Sequence, residues 1–249
     1  MVSIDIYLDN FMYFFCGLIS AVLGILLMIR KRNTFNVGIG VLLEASSFAV
    51  IGGIIGSRIL NAIFKIIEDF CETNIIPPLL SLTMWKEWLG RGSCFYGALL
   101  GATVAVIIFG KIQHMDATHI LGVMTYFLMP FCSLGRLGCW FAGCCYGRIM
   151  SGGWQFPSQF AEAGYCALIF LFFIIKKFEH RKPGIIFPMY VLLYSLGRVF
   201  FEFFREGTTR VGFMSMSQWV AVALVIVNLL WIIKILNEKT QGTVLCVNG

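Results

Sequence analysis

The sequence predicts an all-α polytopic membrane protein of about seven transmembrane helices, with the N-terminus outside and the C-terminus inside. Three observations carry that expectation. The chain is 59% hydrophobic and 13% charged, with a mean hydropathy of +0.84, whereas a soluble domain carries about 25% charged residues. The apolar runs recur along the whole length, so residues 1–249 read as a single membrane domain with no soluble part. Basic residues also gather tightly at particular ends of those runs.

A bilayer core is crossed by roughly 20 apolar residues in a helix. The runs that qualify are Phe11–Ile29, Ile39–Phe64, Phe95–Gly110, His119–Leu134, Ser158–Ile175, Gly184–Phe204 and Phe213–Leu236. The first begins late and lacks a basic leader, so it reads as a span and not as a cleaved signal peptide. Between the second and third runs, Ile75–Leu89 contains Pro77-Pro78, Trp85 and Trp88. That stretch is too interrupted to span and is expected to lie at the interface. Arg30-Lys31-Arg32, Lys176-Lys177 and Arg181-Lys182 lie tight against span ends on one side. The positive-inside tendency then places that side in the cytoplasm. The formal net charge of +6 is accounted for by this orientation, and nucleic acid is not implied as a partner.

Apart from Lys234 at the inner end of the last run, five charges fall inside the predicted spans: Glu44, Arg58, Glu162, Arg198 and Glu202. An ionisable group within the bilayer costs several kcal/mol, so each must face the bundle interior, a partner or water. Arg198, Glu202 and Arg205 recur at i, i+4 and i+7, which share one helical face. Such a face is either an ion pair that fixes helix packing or an anion site, since two arginines share one carboxylate. Four glycines fall within the fourteen residues Gly135-Arg136-Leu137-Gly138-Cys139-Trp140-Phe141-Ala142-Gly143-Cys144-Cys145-Tyr146-Gly147-Arg148. This stretch is expected to be a turn in which Gly138, Gly143 and Gly147 let backbone approach a ligand or a helix closely. Arg136 and Arg148 bracket it, and a guanidinium fork suits bidentate phosphate. A re-entrant loop with two snorkelling arginines is the alternative.

The spacing of Cys139, Cys144 and Cys145 is not the paired C-x2-C of a zinc site, and His114, His119 and His180 lie on or near the inner side. Small-residue packing, a disulfide and a reactive thiol all remain open for these three. No metal and no cofactor is expected; a P-loop is absent.

The stretch from Gly135-Arg136-Leu137-Gly138 through Gly147-Arg148 resembles the signature of the prolipoprotein diacylglyceryl transferase family. Four further stretches resemble that family in the same order. These are Gly53-Ile54-Ile55-Gly56-Ser57-Arg58, Cys94-Phe95-Tyr96-Gly97-Ala98-Leu99, Pro157-Ser158-Gln159-Phe160-Ala161-Glu162 and Gly197 through Glu206. Ser215-Met216-Ser217-Gln218 is similar to the start of the family's last helix, and the likeness covers about residues 40–235. It implies a bacterial plasma-membrane enzyme that moves a diacylglyceryl group from phosphatidylglycerol to the lipobox cysteine of a prolipoprotein. Its partners would be anionic phospholipid and that acceptor, and its site would lie towards the extracytoplasmic leaflet.

Under that resemblance Arg136 and Arg198 hold the phosphate, Glu202 orients Arg198, and Glu162 and Arg58 line the approach. Arg205, Arg148 and the glycines of the turn contribute to substrate binding. Tyr96 stands where the family has a histidine, and an ordinary Tyr, with a pKa of about 10, is a poor base near neutral pH. Cys139, Ala142 and Cys144 replace two asparagines and a glutamate of the family's turn, and Phe156 and Ala161 replace its histidine and tyrosine around Pro157. Two other functions compete: thiol-redox chemistry at Cys139, Cys144 and Cys145, and non-catalytic binding or transport of anionic lipid.

Overall fold

The computed structural model describes residues 2–73, 94–177, 183–206 and 210–247, with side chains over 11–71, 94–177, 183–206 and 210–237. Seven helices are long and apolar enough to cross a membrane, and the chain is an all-α polytopic membrane protein. They are α1 (Val2–Lys31), α2 (Ile39–Thr73), α3 (Phe95–Ile112), α4 (Ala117–Phe141), α5 (Ser158–Lys176), α6 (Ile186–Phe201) and α7 (Met216–Val247). Short 3-10 turns at Arg32–Phe35, Pro183–Ile185 and Glu202–Phe204 join or extend them. A hairpin of β1 (Arg210–Val211) and β2 (Met214–Ser215) precedes α7. The expected interfacial segment 75–89 lies outside the described residues.

Two boundaries differ from expectation in ways that matter for the site. The stretch after Leu134 does not turn at once: α4 continues to Phe141, so Arg136 and Gly138 are helical. Nothing between Gly135 and Phe141 breaks a helix strongly, and Gly138 is used for packing. A Cβ there would stand 3.2 Å from the Tyr13 ring of α1. At the other end, the last span begins at Met216 and not at Phe213, because the hairpin occupies residues 210–215.

The helices pack chiefly as neighbouring pairs, α2 with α3, α1 with α4, α4 with α5 and α6 with α7. The α2–α3 crossing is the tightest. A Cβ on Gly101 would sit 2.1 Å from the Gly52 carbonyl oxygen, and one on Gly97 2.4 Å from that of Gly56. In lipid, where apolar burial does not drive helices together, small residues earn close van der Waals contact. This contact fixes the first turn of α3, and with it Tyr96. The core runs through Phe35, Tyr126, Phe109, Phe173, Tyr190 and Ile186, all almost wholly buried. Large apolar side chains such as Phe14, Val50, Leu168 and Leu230 point outwards, as expected of helices that meet lipid instead of water.

Candidate functional site

Five charged side chains form one continuous chain of ion pairs at one end of the bundle. Glu162, in the first turns of α5, lies at its centre. Arg136 of α4 reaches it through Nε at 2.8 Å, and Arg198 of α6 donates through one terminal nitrogen to both Glu162 oxygens at 2.9 Å. The other terminal nitrogen of Arg198 meets Glu202 at 2.8 Å, and Arg205 meets the same carboxylate at 3.5 Å. Glu162, Arg198 and Glu202 are 5%, 7% and 2% exposed. Three guanidiniums face two carboxylates, so the chain of pairs carries one positive charge more than it neutralises. Arg136 and Arg198, nominated from sequence as a pair, are brought together by a shared carboxylate.

The i, i+4 pairing of Arg198 with Glu202 is as expected, but the helical face ends there. Helix α6 stops at Phe201, Glu202 opens a 3-10 turn, and Arg205 is extended. Arg205 instead arrives through backbone pairing with the loop after α4. Gly147 bridges Arg205, the Arg148 N–H donates to the Phe204 carbonyl at 2.8 Å, and the Glu206 N–H donates to the Tyr146 carbonyl at 3.2 Å. Glu162, which the sequence reading put on the approach, is therefore the hinge of the whole arrangement.

Tyr96 stands in the first turn of α3 and is 3% exposed. Its ring packs edge-on against Tyr194, with centroids 6.4 Å apart. Tyr194 in turn lies close enough to the Arg136 guanidinium to act on its charge. The Tyr96 hydroxyl is buried with no hydrogen-bond partner among the described residues, and so is Nε of Arg205. Buried polar groups are rarely left unpaired, because each costs about 1–3 kcal/mol. Two orphaned donors beside surplus positive charge are what an anion would satisfy.

The remaining nominated residues are less central. Arg58 is half-buried on α2, from which the ion-pair chain just described takes no member. Arg148 is exposed, and its guanidinium sits over the Phe204 ring at 5.6 Å. The glycines serve the backbone: Gly143 has φ +61°, and a Cβ on Gly147 would lie 2.1 Å from the Phe156 carbonyl oxygen.

Sequence reasoning did not assign a role to Tyr194, Ser215 or Gln218. The last two form a capping box at the start of α7: the Gln218 N–H donates to Ser215 Oγ at 3.1 Å, and the Ser215 N–H to Gln218 Oε1 at 2.9 Å. The Ser215 hydroxyl also donates to Glu202 at 3.1 Å, which locks that carboxylate in place. The S-x-x-Q spacing was the available signal. Tyr194 had none beyond its position one turn before Arg198.

Beside the ion pairs, the sulfurs of Cys139, Cys144 and Cys145 lie within 4.8 Å of one another. The hydrogen bond from Cys139 pulls the Cys145 thiol down to about 5; the Arg205 and Arg136 charges act the same way, against the effect of burial. Burial pushes the Cys144 thiol up, and the neighbouring Cys145 adds to it.

Fold and site together define a multi-helix membrane protein built around a buried, net-positive arginine–carboxylate chain. A family model described as prolipoprotein diacylglyceryl transferase matches residues 2–234. The chain belongs to that transferase family. Among its relatives is a phosphatidylglycerol–prolipoprotein diacylglyceryl transferase of Clostridium tetani, 28% identical over 86% of this chain and 87% of the relative. A second, numbered 2, from Clostridium perfringens is 29% identical over 81% and 82% of the two chains. A third from Sinorhizobium medicae is 26% identical over 74% and 67%.

Proposed function

We propose that this chain transfers the diacylglyceryl group of phosphatidylglycerol to the thiol of a prolipoprotein cysteine, with Arg136 and Arg198 meeting the lipid phosphate. The observation that supports this most is the excess of guanidinium over carboxylate in a buried site, flanked by the unpaired Tyr96 hydroxyl and Arg205 Nε. The relatives' names supply the substrates.

In the transfer, the acceptor sulfur bonds to the glyceryl carbon as that carbon's bond to the phosphate oxygen breaks. The electron pair leaves on glycerol phosphate. Negative charge therefore grows on an oxygen beside phosphorus, and fixed donors in a water-poor site stabilise it far better than water-exposed ones. Glu162 and Glu202 hold the arginines in place and leave one of their three positive charges uncancelled. Tyr96 takes the part of a hydrogen-bond donor to the phosphate, since a protonated phenol is a poor base. The thiol proton passes to the departing phosphate, whose second pKa of about 6 suits it to that task. The site faces the extracytoplasmic leaflet in this reading, opposite the basic clusters at Arg30-Lys31-Arg32 and Lys176-Lys177.

The test is to reconstitute the purified chain with phosphatidylglycerol and a lipobox peptide and follow the peptide by mass spectrometry. A peptide carrying one added diacylglyceryl group is expected, with glycerol phosphate released in equal amount. Bound lipid without turnover would reduce the chain to an anionic-lipid binder.

A further inference from the structure

The three sulfurs beside the ion pairs are not used by the transfer, and they have an organisation of their own. Cys139 is the last-turn residue of α4, and Cys144 and Cys145 follow after the Gly143 turn. The loop is tied down at each of its two cysteines. The Gln159 amide donates to the Cys144 carbonyl at 2.8 Å, the Ser158 hydroxyl donates to the Cys145 carbonyl at 2.7 Å, and the Cys144 N–H donates to the Cys139 carbonyl at 3.1 Å. Cys145 takes φ +62°, a left-handed conformation that non-glycine residues seldom adopt. With that backbone, consecutive cysteines both contribute to one cluster, which simple alternation along an extended chain would prevent.

We infer that Cys139, Cys144 and Cys145 form a three-sulfur site for a soft, thiophilic monovalent cation, Cu(I) being its best match. Three sulfurs about 2.3 Å from a common centre stand about 4 Å apart, and here all three already lie within 4.8 Å of one another. No histidine or carboxylate joins the group among the described residues. Zinc favours four ligands, whereas an all-sulfur set of three suits Cu(I). The ion is held by three thiolates, any thiol still protonated giving its proton to solvent, and the unit carries two negative charges. Arg136 and Arg205 lie close enough to act on Cys145 and would offset that charge. The exposed Cys144 gives the ion a way in.

The experiment uses the full chain, purified with reductant under nitrogen and titrated against Cu(I) held by a chromogenic chelator. One ion per chain should be withdrawn, and X-ray absorption on the loaded wild-type protein should report a first shell of three sulfurs. The C144S variant should bind about tenfold more weakly or worse, while C71S and C94S, outside the cluster, should bind as wild type. The inference is overturned by no withdrawal from the chelator, by a shell of fewer than three sulfurs, or by C144S binding unchanged. A disulfide between two of the three sulfurs in chain isolated without reductant overturns it as well.

Discussion

Tyr96 and Glu162 carry most of the chemistry that is peculiar to this site. Glu162 binds two arginines at once, and breaking a buried pair by removing one partner costs about 3–5 kcal/mol. Its size as a ligand to both guanidiniums explains why they stand together despite like charge. Tyr96 presents the opposite situation: its hydroxyl has no hydrogen-bond partner among the described residues. Tyr96→Phe should therefore leave the thermal midpoint unchanged or slightly raised, yet lower the transfer rate about tenfold or more. That is the worth of one hydrogen bond to a charged group, about 1.5–3 kcal/mol. Paired melting and initial-rate measurements check this. A rate equal to wild type would remove Tyr96 from the site.

Helix contacts decide whether those residues meet. Tyr96 is held by the glycine crossing of α2 and α3, and Arg198 by the packing of α6 on α5. There a Tyr165 ring lies where a Cβ on Gly197 would fall, at 2.1 Å, and the Tyr165 hydroxyl donates to the Leu193 carbonyl at 2.7 Å. Gly101→Leu should force α3 away from α2, since the Gly52 carbonyl blocks even a methyl. Overpacking of this kind costs about 1–3 kcal/mol or more, and the midpoint should fall by several degrees in a detergent melt. Much of this level was legible beforehand. The seven apolar runs pointed to the elements, the in-span charges to Arg198 and Glu202, and the glycine-rich stretch to Arg136. What escaped was decided by tertiary pairing: the extension of α4 through Gly138, the extended Arg205 tied to Gly147, and the capping role of Ser215 on Glu202. Residue types and spacing do not reveal which loop pairs with which. Cys139, Cys144 and Cys145 stood out as a group, but C-x4-C-C resembles no metal motif, and the left-handed backbone of Cys145 that gathers the sulfurs is not legible in the spacing.

Across the whole molecule, the site occupies one end of the bundle, on the side where α4 ends and α5 begins. The basic clusters Arg30-Lys31-Arg32 and Lys176-Lys177 mark the other ends of α1 and α5. Cysteine labelling in intact bacterial cells should therefore modify a single reporter cysteine placed at Arg148 and spare one placed at Lys177, when the reagent does not cross the membrane. The reverse pattern would put the site in the cytoplasmic leaflet. Surplus positive charge at such a site would attract an anionic headgroup over a zwitterionic one. Arg136→Gln is the cleanest probe, because it leaves Arg198 and Arg205 balanced by Glu162 and Glu202. The direct measurement is equilibrium binding of phosphatidylglycerol against phosphatidylcholine to the purified chain. Wild type should prefer phosphatidylglycerol by about tenfold, roughly 1.4 kcal/mol, and Arg136→Gln should lose most of that preference. Equal affinity for the two lipids in wild type, or a preference untouched by Arg136→Gln, would contradict the account.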